Sequence, residues 1–416
     1  MTIAGQSLRE LADQYGTPLY LYDAATVEDQ VKRLSQALGA HYPGHFEITY
    51  AAKAYFSLGF ARKLAAMGLG VDVVSQGEMA VAHQAGFTPS AVHLHGNNKS
   101  LEELSGAVQW GVQAIVVDSL EELETLERIA ERYQKITRIW LRISPGVAIH
   151  SHAYLQTAHP ASKFGLPLEG GQAAEAVRRA MASQWLRLTG LHTHLGSQFF
   201  EADPYRQGIA SLMALAGQTG FIPEEISSGG GWGVPYIVEQ PDGDPEPWIA
   251  TVTAAVKDGC EKRGWPLPKL VVEPGRWLVA RSGVAVYTVG TTKTSGDGTH
   301  FVSVDGGMAD NPRPALYQAR YSAVLAERPD AEPVNKVNIV GKFCESGDQL
   351  INDIDLPAAQ RGDLLVMPVA GAYQLSMASN YNLAPRPAVL WLTRNEVEVL
   401  QKREQISGDH WFTCDP

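Results

Sequence analysis

The chain has 416 residues, 45% of them hydrophobic and 19% charged, with a formal net charge of -11. A chain this long builds two or three domains around a sizeable core, and no run in it is long and apolar enough to cross a bilayer. The acidic balance disfavours nucleic acid, whose binders present a basic face to phosphates, so neither nucleic acid nor membrane is an expected partner.

Near the start, PLYLYD reads as a strand and Val27 to Leu38 as a helix. Short apolar runs then follow at 47–51, 71–74, 91–95, 114–118, 138–143, 189–193, 225–228 and 270–273. Between them lie amphipathic stretches such as Leu58 to Met67, Leu101 to Trp110, Leu120 to Tyr133 and Gly171 to Met181, each long enough for a crossover helix. This alternation predicts an α/β fold, a closed TIM-type (βα)8 barrel over residues 30–275. After Gly275 the rhythm changes to runs such as VAVYTVG, HFVSVDGG, KVNIVG, LLVMPVAG and AVLWL, separated by turns. Residues 276–416 therefore read as an antiparallel β domain, a sandwich or barrel-like body that takes in the N-terminal strand of residues 1–29. Loose stretches are expected at 290–299, at 240–247 and over the last few residues. Cys260, Cys344 and Cys414 form no CxxC pair, and MTIAGQSLRE has no basic-then-apolar leader, so a reducing cytoplasm is expected.

In such a barrel the chemistry sits where strands end. In order, those ends give Lys53, Asp72, His95 with Asn97 and Asn98, Asp118, Arg142, His192 with His194, Gly229 to Gly231, and Glu273 with Arg276. Lys53 is either a rim lysine whose stem snorkels or an amine nucleophile towards a carbonyl. Three consecutive glycines after the seventh strand either permit a tight turn or converge N–H groups on an anion, and the position favours phosphate. Glu273-Pro274-Gly275-Arg276 adds a carboxylate, which could hold a proton on a ring nitrogen, and a guanidinium for an anion. The pairs His93/His95 and His192/His194 each share a strand face and invite a metal-hydrolase reading with Asp118 or Asp305, although the glycine corner and the lysine need no metal. Cys344 is flanked by Glu345 and Asp348, poor core neighbours, which favours an exposed thiol.

Taken together, YAAKA, GLGVDVVSQGE, HGNNKS, SKFG, HTHLGSQ, SGGGWG, EPGR, GGMADNPRPALY, CESGD, GAY and MASNYN resemble the alanine-racemase-type barrel family of pyridoxal-phosphate-dependent decarboxylases, fold-type III. Within that family the likeness is to members that act on diaminopimelate. It implies a cofactor, pyridoxal 5'-phosphate, carried by Lys53, with Asp72 and Tyr373 beside it and His194 stacked on its ring. Ser197, Gly230, Gly231, Gly275 and Arg276 would hold the phosphate side, and Glu273 would pair with the pyridinium nitrogen. Cys344, reaching in from the other subunit of a homodimer with active sites at its interface, would reprotonate the α-carbon. Tyr55, Trp232 and Pro312 depart from the family's usual residues and bear on substrate fit.

The substrate can be chosen on charge. Diaminopimelate has a distal carboxylate and a distal ammonium; Arg276, Arg313 and Tyr317 suit the first, Glu345 the second, and Tyr373 would complete the substrate site. Ornithine or lysine would leave buried arginines unmatched. The expectation is decarboxylation of meso-2,6-diaminopimelate to L-lysine, the last step of lysine biosynthesis. The alternatives are a relative acting on carboxynorspermidine, ornithine or lysine, a metal-dependent barrel hydrolase, and a silent binding homologue.

Overall fold

The computed structural model describes residues 1–146 and 162–405. Cys414 and the expected loose C-terminus lie outside these residues. The chain divides into two compact units: a barrel unit of Gln30–Val234 and Asp242–Leu278, and a β unit of Met1–Asp29, Pro235–Pro241 and the chain from Val279 on. Among the described residues no helix is long and apolar enough to cross a membrane.

The barrel strands are β1 (Phe46–Ala51), β2 (Gly70–Val73), β3 (Val92–Leu94), β4 (Ala114–Val117), β5 (Thr137–Ser144), β6 (Leu186–His192), β7 (Glu225–Ser227) and β8 (Lys269–Val272). All neighbours pair in parallel, and β8 returns to β1 while β5 pairs β6, so the sheet closes on itself as the alternation of runs predicted. After each of the first four strands the chain turns into a helix at a serine. Ser57, Ser75, Ser100 and Ser119 accept a backbone N–H from three residues on, and Ser100 with Glu103 completes a capping box.

Because side chains alternate along a strand, Arg138, Trp140 and Arg142 share the inner face of β5, as Lys269, Val271 and Glu273 share that of β8. The interior is layered accordingly. Ala114, Val116, Trp140 and Val271 form a dry middle cluster, with His93 buried against Trp140 at 4.4 Å between ring centroids. Below it, Glu225 accepts from Trp140 Nε1 at 2.8 Å, Gln113 Nε2 at 2.8 Å, Arg138 at 3.1 Å and Thr189 at 3.2 Å, and pairs with Lys269 at 3.2 Å. Thr189 bulges β6, and Gly190 beside it has no Cβ, which would lie 2.7 Å from the Trp140 indole nitrogen.

In the β unit one long strand, Gly283–Thr294, pairs antiparallel with Leu19–Asp23, His300–Val304 and Leu364–Pro368. The N-terminal strand thus joins this unit, as expected, and lies parallel to Ala388–Leu392. A second parallel pairing joins His300–Val304 to Asn335–Val340, across a connection long enough to reverse the chain twice. Leu19, Leu21, Val286, Leu364, Val366 and Leu390 fill the core between them. The stretch 290–299 is looser in expectation than in fact. Strand structure runs to Thr294, because Gly290 marks a bulge between Val289 and Thr291 rather than a loop. Helix Glu246–Glu261 likewise starts inside the expected loose stretch 240–247, with Pro247 in the first turn, where a missing N–H has no partner to lose.

Removing the Glu225 carboxylate strands several buried donors. Glu225→Ala should lower unfolding free energy by about 3 kcal/mol near neutral pH, read from urea unfolding. Burial pushes this carboxyl up, but Trp140, Lys269 and Arg138 outweigh it and hold it below the usual glutamate range. A depressed group stabilises the fold above its unfolded pKa and loses that contribution as pH falls through its folded value, so the gap between parent and variant should close in acid.

Candidate active site

The top layer of the barrel gathers Asp72, His95, His192, Ser227 and Glu273. Glu273 is the hub: His192 Nε2 lies 3.0 Å from one carboxylate oxygen, and Ser227 Oγ donates to the other at 2.5 Å. Asp72 stands beside it, 3.4 Å from His95 Nε2, and His95 Nε2 is 3.9 Å from Glu273. Burial alone would raise Glu273, but the His192 imidazole beside it and the hydrogen bonds with His192 and Ser227 hold its carboxyl well below the usual range. Asp72 is pushed well above it, first by burial and then by the Glu273 carboxylate. The pair therefore divides one proton unequally, with the anion on Glu273. Burial keeps the His95 and His194 imidazoles neutral, their pKa values well below the usual one.

Lys53 follows β1 in a single 3-10 turn, Ala52–Ala54, with its side chain exposed. Among the described residues it has neither an ion-pair nor a hydrogen-bond partner, while its charge is felt at Asp72 and His194. Across the mouth, the glycine run packs backbone on backbone. A Cβ on Gly230 would stand 2.1 Å from the Glu273 carbonyl oxygen and one on Gly231 2.2 Å from that of Gly196, so the loops after β6, β7 and β8 meet only because these positions are bare. Gly230 N–H points to His194 Nδ1 at 3.4 Å, and Arg276 donates to Ser197 Oγ at 3.1 Å in the same corner. Gly275 adds to it, its missing Cβ lying 3.1 Å from the methyls of Ala51 and Ala54.

Other expected groups take different stations. His93 faces the middle layer, with no hydrogen-bond partner for either nitrogen among the described residues. Asp118 accepts from Gly165 N–H at 2.7 Å, which holds the SKFG segment, and Arg142 stacks on Phe164 at 4.4 Å. Asp305 lies in the β unit and is bound to Thr17 and Thr288. Among the described residues neither acid joins the histidines in a metal-ligating group. One histidine of each pair, His95 and His192, instead converges with Glu273, their ligand atoms within 4.8 Å of one another.

Sequence reading missed three residues here. Ser227 read as part of the glycine turn, yet it orients Glu273. Lys99, buried, donates to Glu122 at 2.6 Å and to the carbonyls of Gly96 and Val116 at 2.7 Å each, tying the ends of β3 and β4 together. The only signal for that pair is the cap at Ser119, which places Glu122 on the first turn.

Within the β unit, Arg313 is buried with Nη1 on Tyr321 at 2.6 Å and its guanidinium carbon 4.9 Å from the Tyr236 ring centroid. Tyr373 takes a left-handed backbone at φ +62°, unusual for a bulky residue, and Tyr317 ends helix Arg313–Tyr317 partly exposed. Cys344 and Glu345 are exposed, as expected of a working thiol. Asp348, expected to be exposed with them, is buried instead. It accepts from the N–H groups of Met308 at 2.6 Å and Phe343 at 2.8 Å, so its charge is spent on clamping two loops. The departures are packing residues: Tyr55 lies edge-on to Phe60, Trp232 stacks on Trp248, and Pro312 caps the Arg313 helix.

An amine at a barrel mouth, an anionic carboxylate opposite and a bare-glycine anion corner define a pyridoxal-phosphate barrel, and these residues fit that cofactor. The chain belongs to the pyridoxal-dependent decarboxylase family, whose pyridoxal-binding-domain model matches residues 24–280. It is 40% identical to the diaminopimelate decarboxylase of Halalkalibacterium halodurans and 39% to that of Bacillus subtilis, over 97% of this chain and 93% of each relative. Its fold superposes with a TM-score of 0.91 and 30% identity on the crystal structure of the M. jannaschii diaminopimelate decarboxylase in complex with L-lysine, covering 97% of this chain and 93% of the other.

The Glu273 hydrogen bonds carry a pH prediction. Ser227→Ala removes a donor to the ionised carboxylate and so raises its pKa. The acid limb of the kcat/KM profile should move up by about one pH unit with the alkaline limb in place.

Proposed function

We propose that the protein decarboxylates meso-2,6-diaminopimelate to L-lysine and carbon dioxide, with pyridoxal 5'-phosphate carried on Lys53. The observation that supports this most is Glu273, kept anionic at the mouth by His192 and Ser227 and facing the same space as a lysine that has no ion-pair or hydrogen-bond partner among the described residues. Bound pyridoxal phosphate supplies an electron sink for the charge left when carbon dioxide departs. Glu273 holds a proton on the ring nitrogen, which the neutral His95 and the protonated Asp72 cannot take from it. Neutral His194 would stack on the cofactor ring. Ser197, Gly230, Gly231, Gly275 and Arg276 hold the phosphate, and Tyr373 serves both cofactor and substrate.

At the reacting carbon the bond to the α-carboxylate breaks and a proton replaces it. We assign that proton to the thiol of Cys344 of the partner subunit, in a homodimer whose sites form at the interface. Arg276, Arg313 and Tyr317 take the distal carboxylate and Glu345 the distal ammonium. Arg313 is held over the Tyr236 ring, and a guanidinium positioned there suits bidentate recognition of a carboxylate.

Carbon dioxide and lysine should form in equal amounts from meso-diaminopimelate, and lysine and ornithine should be poor substrates; the reverse preference would refute the reading. Lys53→Ala should lose both turnover and the borohydride-fixed cofactor adduct seen in the parent by peptide mass spectrometry. Arg313→Ala should lower kcat/KM for diaminopimelate by an amount equivalent to at least ~2 kcal/mol while leaving the small activity on lysine nearly unchanged. For the shared site, mixing inactive Lys53→Ala and Cys344→Ala chains under subunit exchange should restore about a quarter of parent activity, since half the dimers then hold one intact site of two.

A further inference from the structure

We propose that the β unit carries a second ligand site, for a small molecule bearing a carboxylate or phosphate group, in the cavity lined by Lys342, Arg386 and Arg403. The cavity measures about 380 Å³, within the range that encloses small ligands. Its charges are unequally answered. Arg403 donates only to the carbonyls of Tyr15 at 3.3 Å and Pro18 at 2.7 Å, and none of the three cations forms an ion pair among the described residues. The two acids of the wall are already engaged by other donors. Asp305 accepts from Thr17 Oγ1 at 2.5 Å and Thr288 N–H at 2.8 Å, and Asp310 from Tyr20 at 2.9 Å, Tyr287 at 2.7 Å and Gly307 N–H at 2.9 Å. Burial raises the Asp310 carboxyl to about 6. Three cations thus face a cavity whose two acids are hydrogen-bonded to other groups, are felt at Arg403 and form no ion pair with any of the three, and an oxyanion is the ligand that completes it.

The same walls present the Cys344 thiol. Lys342 N–H bonds Gly306 O at 3.1 Å, Phe343 N–H bonds the Asp348 carboxylate, Ser379 N–H bonds Ala309 O at 2.8 Å, and Cys344 N–H reaches Asn382 at 3.5 Å. An anion bridging Arg386 and Lys342 therefore fixes the segment that leads into Cys344, whatever that thiol does in turnover.

The test uses the holoenzyme with citrate or inorganic phosphate, against chloride of equal ionic strength. At ten times its Kd the anion should raise Tm by roughly 1–3 °C. It should also slow iodoacetamide labelling of Cys344 severalfold, read on the Cys344 peptide by mass spectrometry so that Cys260 and Cys414 do not contribute. Arg386→Ser should abolish both responses. Should that variant fold poorly, Lys342→Met, which keeps the stem and removes the charge, should weaken both. A response to citrate alone assigns a carboxylate ligand, and one to phosphate alone a phosphate. No response beyond chloride, or variants that respond as the parent does, would overturn the site.

Discussion

A carboxylate stays ionised inside a protein only where donors are aimed at it, and the barrel is organised around meeting that condition at Glu273. Both oxygens are engaged, by His192 and Ser227, and the nearest acid, Asp72, is left to carry the proton. Without those donors burial would neutralise Glu273, and the mouth would lose its buried anion. The histidines contribute by being neutral. A charged His95 or His194 would compete for the same carboxylate and repel the lysine across the mouth.

The period of two along the strands explains how one barrel holds two buried acids of opposite use. Glu225 and Ser227 share the inner face of β7, and Lys269 and Glu273 that of β8, with Val271 between them. The Trp140 layer separates the ends. Below it Glu225 is saturated by Trp140, Gln113, Thr189 and two cations, which leaves it no chemistry. Above it, among the described residues, Glu273 is met by His192, His95 and Ser227 and forms no ion pair with a lysine or arginine. Glycine does comparable work in the loops: Gly230 and Gly231 are required because a Cβ would strike the carbonyls of Glu273 and Gly196. The anion corner and the carboxylate are therefore held by one set of contacts.

The sequence made the barrel legible because its strands are apolar runs bounded by serine-capped helices, two local signals that agree. Strand-end residues were legible for the same reason. What could not be read is which acids turn inward. In Glu224-Glu225 the two residues look alike, yet Glu224 is exposed and Glu225 almost fully buried, a difference set by the bulge at Thr189 and by a bare Gly190 paired with Trp140 on the neighbouring strand. His93 and His95 look like a pair but belong to different layers. Lys99 and Glu122 are far apart in the chain and meet only once β3 and β4 are adjacent.

Asp348 carries the argument into the β unit. An acid four residues after Cys344 reads as a sign of exposure, and the thiol is indeed exposed, but the reason is different. Asp348 is buried, and its oxygens take the N–H groups of Met308 and Phe343, while Gly307 and Gly341 leave room for it, since a Cβ on either would lie 2.4 Å or less from the carboxylate. The clamp fixes both ends of a short excursion, so the residues between Phe343 and Asp348 have nowhere to go but outward. The exposure of Cys344 and Glu345 thus follows from the burial of Asp348. What holds the exposed thiol in place is a rigid stalk rather than a polar neighbourhood, and the stalk is a carboxylate satisfied by backbone amides.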